Sequence, residues 1–393
     1  MCARREQRRK ATRSLLVALI VGGLWLAQAG AETVFEDTPV PPIGAEGGPA
    51  SDLTVDEVEQ WKRGRTLFDR DWHLDQGLGT PELNADSCRA CHEDPALGGA
   101  GGLDVNVFRY GFDDDGVGPF ADLDGGQVAS RLRRPDTAGR DEHVVTADVF
   151  EQRQTPSIFG AGLIDSIFES EILANEDPDD LDGDGIQGIA RLIDVDGELE
   201  VGRFGWKSQI PTLRDFVRDA LGGETGITVP DDGRGFGMLT DDDVVADPEV
   251  TEEDIDDMAF YLGQLAAPPR RGATPESIEA GETHFDEIGC ADCHIPSLEG
   301  EDGPVELYSD LLLHDVLPDD FRGMAEEGAG VGLYRTPPLW GISRTAPYMH
   351  DGRAETVEDA ILAHDGEALD AREAYEDLTA EEQVELLLFL ADL

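Results

Sequence analysis

Lysine is almost missing from this chain. Among 393 residues only Lys10, Lys62 and Lys207 occur, and 30 Lys and Arg stand against 85 Asp and Glu, for a net charge of −55. That balance excludes nucleic-acid binding, which needs a basic face to meet phosphates. Cysteine is scarce as well. Of five, Cys2 lies in the basic leader and the others form two pairs, so none remains for a structural disulfide. Beyond residue 31 no apolar run reaches the roughly 20 residues of a membrane span. No nucleophile stands out with its base, so a protease or hydrolase has no support.

What is present begins with a leader. Residues 1–31 carry Arg4, Arg5, Arg8, Arg9, Lys10 and Arg13, then an apolar run over 15–27, then Ala27-Gln28-Ala29-Gly30-Ala31. A basic region, a short apolar region and a small-residue cleavage site predict an exported protein with cleavage after Ala29 or Ala31. An uncleaved anchor is the alternative; after cleavage no stable membrane span is expected. The mature chain is then more acidic still. Such self-repulsion is costly in dilute buffer and screened at molar salt, which with the lysine depletion predicts a halophilic source.

The cysteine pairs are Cys88-Arg89-Ala90-Cys91-His92 and Cys290-Ala291-Asp292-Cys293-His294. C-x-x-C-H is the attachment signature of c-type haem: two thiols hold the porphyrin and the adjacent His binds iron. A Cys2His2 zinc site would not require His at the same offset in each pair. Two covalently bound haem c groups are expected, on Cys88, Cys91 and His92 and on Cys290, Cys293 and His294. Because haem consumes both pairs, no thiol-redox role follows. Export fits, since c-type haem is attached outside the cytoplasm.

The order of segments repeats. Residues 32–52, rich in Pro, Gly and acids, are expected to form a loose tail. A helix is predicted over Thr54 to Asp69, capped by Thr54 with Glu57 and interrupted at Gly64. Gly98 to Gly126 has little periodicity and is read as loops and turns. Helices are predicted over Thr212 to Leu221 and Thr251 to Leu265, the latter stopped by Pro268-Pro269. Further on, Gly281-Glu282-Thr283-His284-Phe285 echoes Gly64-Arg65-Thr66-Leu67-Phe68, and the R-T-P segment at 335–341 echoes 153–160. Thr379 to Leu393 echoes Thr251 to Leu265 without a gap. The expected architecture is mainly α, with two cytochrome-c-like haem domains over 53–269 and 270–393, the first enlarged by acidic loop insertions.

At R-Q-T-P-S-I-F-G-A-G-L-I, D-G-D-G-I-Q-G, G-R-F-G-W-K, E-T-G-I-T, D-L-L-L-H-D, R-T-P-P-L-W-G, H-D-G-R-A and H-D-G-E-A the sequence resembles the di-haem oxidoreductases of peroxidase type, once called thiol oxidoreductases. The resemblance spans nearly all of the chain after the leader. The family is similar in turn to bacterial di-haem cytochrome c peroxidases and to the di-haem enzyme that matures a tryptophan-derived quinone cofactor. In those relatives one haem has an open or displaceable distal position and meets peroxide, while the other has two protein ligands and relays electrons.

The resemblance implies roles residue by residue. In the peroxidases the distal Met of haem two follows the His of P-Y-x-H-D-G by fourteen residues; here fourteen residues beyond His350 is His364. His294 and His364 are thus the expected axial pair, with Met349, His350 and His314 as rivals, although His314 also reads as a hydrogen-bonded core histidine. Two imidazoles give a lower potential than His/Met. Trp206, in Gly205-Trp206-Lys207, matches a tryptophan that lies between the haems and carries an electron or hole. Glu224 matches a distal glutamate over the peroxide-reacting iron, where a carboxylate can move a proton between the peroxide oxygens. For haem one no distal His is found. Asp180, Asp182 and Asp184 resemble the start of a calcium loop, though Arg191 stands where an EF-hand has Glu; an acidic surface turn is the alternative.

The expected function is therefore peroxide reduction with electrons from a small donor protein, a cytochrome or cupredoxin. Oxidation of a protein substrate and plain di-haem electron transfer are the alternatives.

Overall fold

The protein is described here from a computed structural model, which covers residues 39–79, 85–112, 121–122, 128–129, 148–272 and 274–393. The expected leader and the start of the expected tail lie outside the described residues. Residues 40–393 form one unit. The helices are α1 (Val55–Asp69), α2 (Ala161–Ser166), α3 (Glu169–Leu173), α4 (Leu213–Thr225), α5 (Glu252–Gly263), α6 (Pro275–Glu287), α7 (Val357–Leu362), α8 (Leu369–Asp377) and α9 (Ala380–Asp392). None is long and apolar enough to cross a membrane. The chain is helix-rich, as expected.

The capping expectation at Thr54 holds, and further helices are capped in the same way. Thr54 and Glu57 form a reciprocal capping box on α1, Thr251 and Asp254 on α5, and Thr379 and Glu382 on α9. The expected break at Gly64 does not occur, and α1 runs through it. The glycine has another purpose. A Cβ there would lie 1.9 Å from the Asp257 carbonyl oxygen, because α1 crosses α5 at that point. Gly281 does the same where α6 crosses α9, with a Cβ position 2.3 Å from the Glu385 carbonyl oxygen. Phe68 packs on Tyr261 at 5.6 Å between centroids, and Phe285 on Phe389 at 5.4 Å. The sequence repeat is thus a repeated helix crossing in one register, since Asp257 and Glu385 both sit six residues beyond the cap threonine.

The R-T-P segments repeat in space too. Gly160 and Gly341 both take positive φ, and their N–H groups donate to the carbonyls of Leu265 and Leu393, which end the two matching C-terminal helical segments. Each segment is thereby stitched to the helix pair of its own half.

Two expectations are corrected. Within the stretch read as loops, β1 (Val107–Phe112) pairs antiparallel with β2 (Ala121–Asp122), β3 (Val128–Ala129) and β4 (Val149–Arg153). The main partner, β4, lies some forty residues further along, so no hairpin signal marks the strand locally. The expected loose tail is seated over its second part: Ala50 N–H donates to Gln264 O at 2.7 Å, Gly48 O accepts from Ala266 at 2.9 Å, and Glu46 pairs with Arg344 at 2.6 Å. Its glycines allow the close approach that its composition suggested would be disorder; a Cβ on Gly47 would meet Leu97 O at 3.3 Å.

Short ribbons complete the fold: β5 (Leu192–Val195) with β6 (Glu198–Val201), β7 (Leu298–Gly300) with β8 (Gly303–Val305), and β9 (Leu313–Asp315) with β10 (Leu333–Arg335). The larger core, around Trp61, Phe68 and Tyr261, also takes in Leu298, Leu307, Leu311 and Leu312 from beyond residue 270. A second core gathers Phe285, Tyr375, Leu386 and Phe389.

Candidate haem cavity

Both C-x-x-C-H motifs open onto one cavity of about 1270 Å³. Ordinary small-molecule pockets run to roughly 300–1,000 Å³, so the space suits more than one large ligand. Each motif is a tight turn: the N–H groups of Cys91 and His92 donate to Cys88 O, and His294 N–H donates to Cys290 O. That coil puts two sulfurs and an imidazole on one wall. His92 Nδ1 is bonded to Gly99 O at 3.1 Å and His294 Nδ1 to Tyr308 O at 2.9 Å, which leaves Nε2 as the basic nitrogen of each ring. A backbone carbonyl behind the ring is the usual support for an iron-binding imidazole. Burial holds both imidazoles near about 4, so they stay neutral and able to ligate. Phe68 flanks His92 and Phe285 flanks His294, at 6.1 and 6.4 Å. The residues present fit haem at both places.

Burial pushes the thiols of Cys88, Cys91 and Cys290 up to about 12, with the Glu224 charge adding to the effect at Cys88 and Cys91. Such thiols are not the thiolates an exchange site requires.

The remaining expected residues converge on the same cavity. His364 follows α7, lines the cavity and donates from Nδ1 to Ala360 O at 2.7 Å, the same arrangement as His92 and His294. Burial lowers its pKa. Trp206 sits between the two R-T-P segments: its Nε1 donates to Gln154 O at 2.8 Å, and its carbonyl accepts from Arg335 N–H at 2.8 Å. Glu224 lies in the last turn of α4 and lines the cavity on the side of the first motif.

His314 is a core histidine, as one reading of L-L-L-H-D expected. Its two ring nitrogens reach Asp310 and Glu367, each at 2.8 Å. Burial works against the charge, but those carboxylates raise its pKa well above the ordinary value, so it is protonated and has no lone pair for iron. Of the expected calcium loop, Asp180 and Asp182 bring carboxylate oxygens within 4.8 Å of one another and of Asp177. Asp184 accepts from Ile186 N–H at 2.8 Å and lines the haem cavity. Arg191, three residues after Gly188, is committed elsewhere: it donates to Glu326 at 2.9 Å.

Several residues in and behind the cavity wall escaped the sequence reading. Glu326 binds Arg109, Arg153 and Arg191 from three separate segments. Lys207, fully buried, donates to the carbonyls of Gly330, Val331 and Leu333 and lies 4.1 Å above the Tyr334 ring. Tyr334 stacks on His350 at 3.9 Å. Asp219, on α4, lines the cavity, and burial pushes it up to about 6. None has a local signal; a single acid on a helix is unremarkable in so acidic a chain.

The family model for "Di-haem oxidoreductase, putative peroxidase" matches residues 139–393. The chain is thus a haem oxidoreductase by class, and it belongs to the di-haem oxidoreductase family. The match begins after the first C-x-x-C-H, so that motif stands on its own residues. No curated protein matches the chain. Similar solved structures include a MauG-like protein associated with microbial copper homeostasis, 18% identical over 91% of this chain and 94% of that one, with a TM-score of 0.42. Kuenenia stuttgartiensis hydrazine synthase is 16% identical over 91% and 97%, with a TM-score of 0.43. The diheme peroxidase BthA from Burkholderia thailandensis is 14% identical over 90% of each chain, with a TM-score of 0.42.

Proposed function

We propose that this chain is an exported di-haem c-type peroxidase that reduces hydrogen peroxide to water with two electrons and two protons, the electrons coming from a small donor protein. The observation that carries the reading is the shared cavity: two C-x-x-C-H turns, each with its histidine ring held by a backbone carbonyl, meet there with Trp206, Glu224 and His364. Haem covalently bound at each motif supplies the redox chemistry, in two cytochrome-c-like halves that follow the repeated helix crossings.

The chain's own residues divide the work. Cys88 and Cys91 would hold the first group and His92 its iron; Cys290 and Cys293 would hold the second, with His294 and His364 as the residues that bind its iron. Glu224 moves a proton between the peroxide oxygens, a contribution of roughly 10²–10⁴-fold for a well-placed acid–base group. Trp206, tied to both halves, is the conductor between them. The acid excess suits a protein working at high salt, and a calcium ion on Asp177, Asp180 and Asp182 would hold the 177–185 turn.

Low-temperature EPR of the holoprotein at high salt, oxidised and half-reduced, tests the reading. One high-spin ferric haem consumed by peroxide, beside one low-spin bis-His haem, is the expected result. Two low-spin signals indifferent to peroxide in both redox states would make the chain an electron carrier.

A further inference from the structure

A charge drawn away from water without a counter-ion is costly, and Arg335, half-buried on the cavity wall, is placed so. Four described arginines line the cavity: Arg109, Arg153, Arg335 and Arg372. Three have carboxylates, with Arg109 on Glu326, Arg153 on Glu151 and Glu326, and Arg372 on Asp365. Arg335 makes no ion pair among the described residues. Its Nε donates to Gly205 O at 3.2 Å and one Nη to Thr336 O at 3.3 Å, two carbonyls for a group with five N–H donors. Scarcity of acids cannot be the reason in a chain with 85 of them. Desolvation is strong enough to push this guanidinium down to about 10, opposed only by the charge of Asp310.

Its position points to the second motif. Arg335 closes β10 opposite Leu313 of β9, and the chain leading into β9 is tied to the motif by Asp310 N–H donating to Cys293 O at 3.0 Å. On its other side the Arg335 backbone holds Trp206.

We propose that Arg335 binds a carboxylate of the porphyrin attached at Cys290 and Cys293, and that it thereby sets the potential of that haem. The inference rests on the two-haem reading above. A planar guanidinium matches a carboxylate with two parallel hydrogen bonds, whereas a lysine offers only a point charge. Losing the cation leaves the carboxylate negative charge uncompensated near iron, which favours the ferric state.

The test uses holoprotein prepared at high salt, as wild type, Arg335→Gln and Arg335→Lys. Covalent haem is counted per chain, and each haem is titrated with reductant at several pH values. Arg335→Gln is expected to keep two haems, to lower the midpoint potential of the bis-His haem alone, and to make that potential vary with pH as the freed carboxylate titrates. Arg335→Lys is expected to restore most of the potential. If Arg335→Gln loses haem, the Lys variant decides: two haems with only the bis-His potential slightly lowered supports the proposal, and two potentials equal to wild type overturn it. Unchanged potentials with both haems in place, or equal shifts in both, overturn it. Added formate that shifts the wild-type potential but not that of Arg335→Gln overturns it too, because Arg335 would then serve a free carboxylate. Fewer than two haems on the wild type sinks the two-haem reading instead.

Discussion

Single side chains in this cavity owe their chemistry to what surrounds them. Glu224 is one of 85 acids by composition, and its match to the resembled family's distal glutamate together with its place on the cavity wall makes it a candidate proton carrier. Glu224→Gln is expected to cut peroxide turnover by roughly 10²–10⁴-fold while resting absorption and EPR spectra stay as in wild type. A loss under tenfold would remove it from that role. Glu326 works differently. Burial opposes its charge, but Arg153, Arg109 and Arg191 outweigh that and hold its carboxyl down to about 2. The folded carboxyl therefore titrates below the unfolded one. Its stabilisation is complete above the ordinary glutamate value of roughly 4.3 and is lost as pH falls through about 2. Glu326→Gln, which leaves three buried guanidiniums short of a partner, is expected to cost about 3–5 kcal/mol at neutral pH. Denaturant melts should show the gap closing as pH drops toward 2; a gap independent of pH would contradict this account.

Among elements, the two helix crossings are the repeated unit on which each motif is hung. Gly64 and Gly281 hold no special backbone angle there. They are small because another helix backbone passes where a Cβ would be. Gly281→Ala should gain helix propensity and still lose stability by about 1–3 kcal/mol, because α9 must move to admit the methyl group. Thermal unfolding of the holoprotein measures it, and a raised midpoint would show that the crossing yields more easily than the packing implies. Because Phe285 bridges α9 and His294, the same variant is expected to broaden the EPR signal of the second haem.

At the scale of the whole molecule, charge dominates. A net −55 repels itself across the surface, and the Debye length falls from about 10 Å at 0.1 M salt to 3 Å at 1 M. The melting temperature is expected to climb steadily from dilute buffer to molar sodium chloride. A midpoint that is flat over this range would separate the acidity from stability and end the halophilic reading.

How much of this was legible in advance depends on the range of the interaction that decides each feature. Capping boxes at Thr54, Thr251 and Thr379 are written in four consecutive residues, and the haem turns in five, so both could be read directly. The repeat was legible because it returns in order. Strand β1 was not, since its main partner lies some forty residues away. Nor was the seating of residues 40–50, which depends on glycines meeting a distant backbone. Sequence by itself determined the cofactor chemistry, the family and the charge, all set by residue identity and short spacing. Tertiary structure alone decided that both motifs share one cavity, that Asp177 joins Asp180 and Asp182, and that Arg335 stands there with no ion pair among the described residues. Those depend on which distant segments meet, and burial fixes the energy of a charge only once they have met.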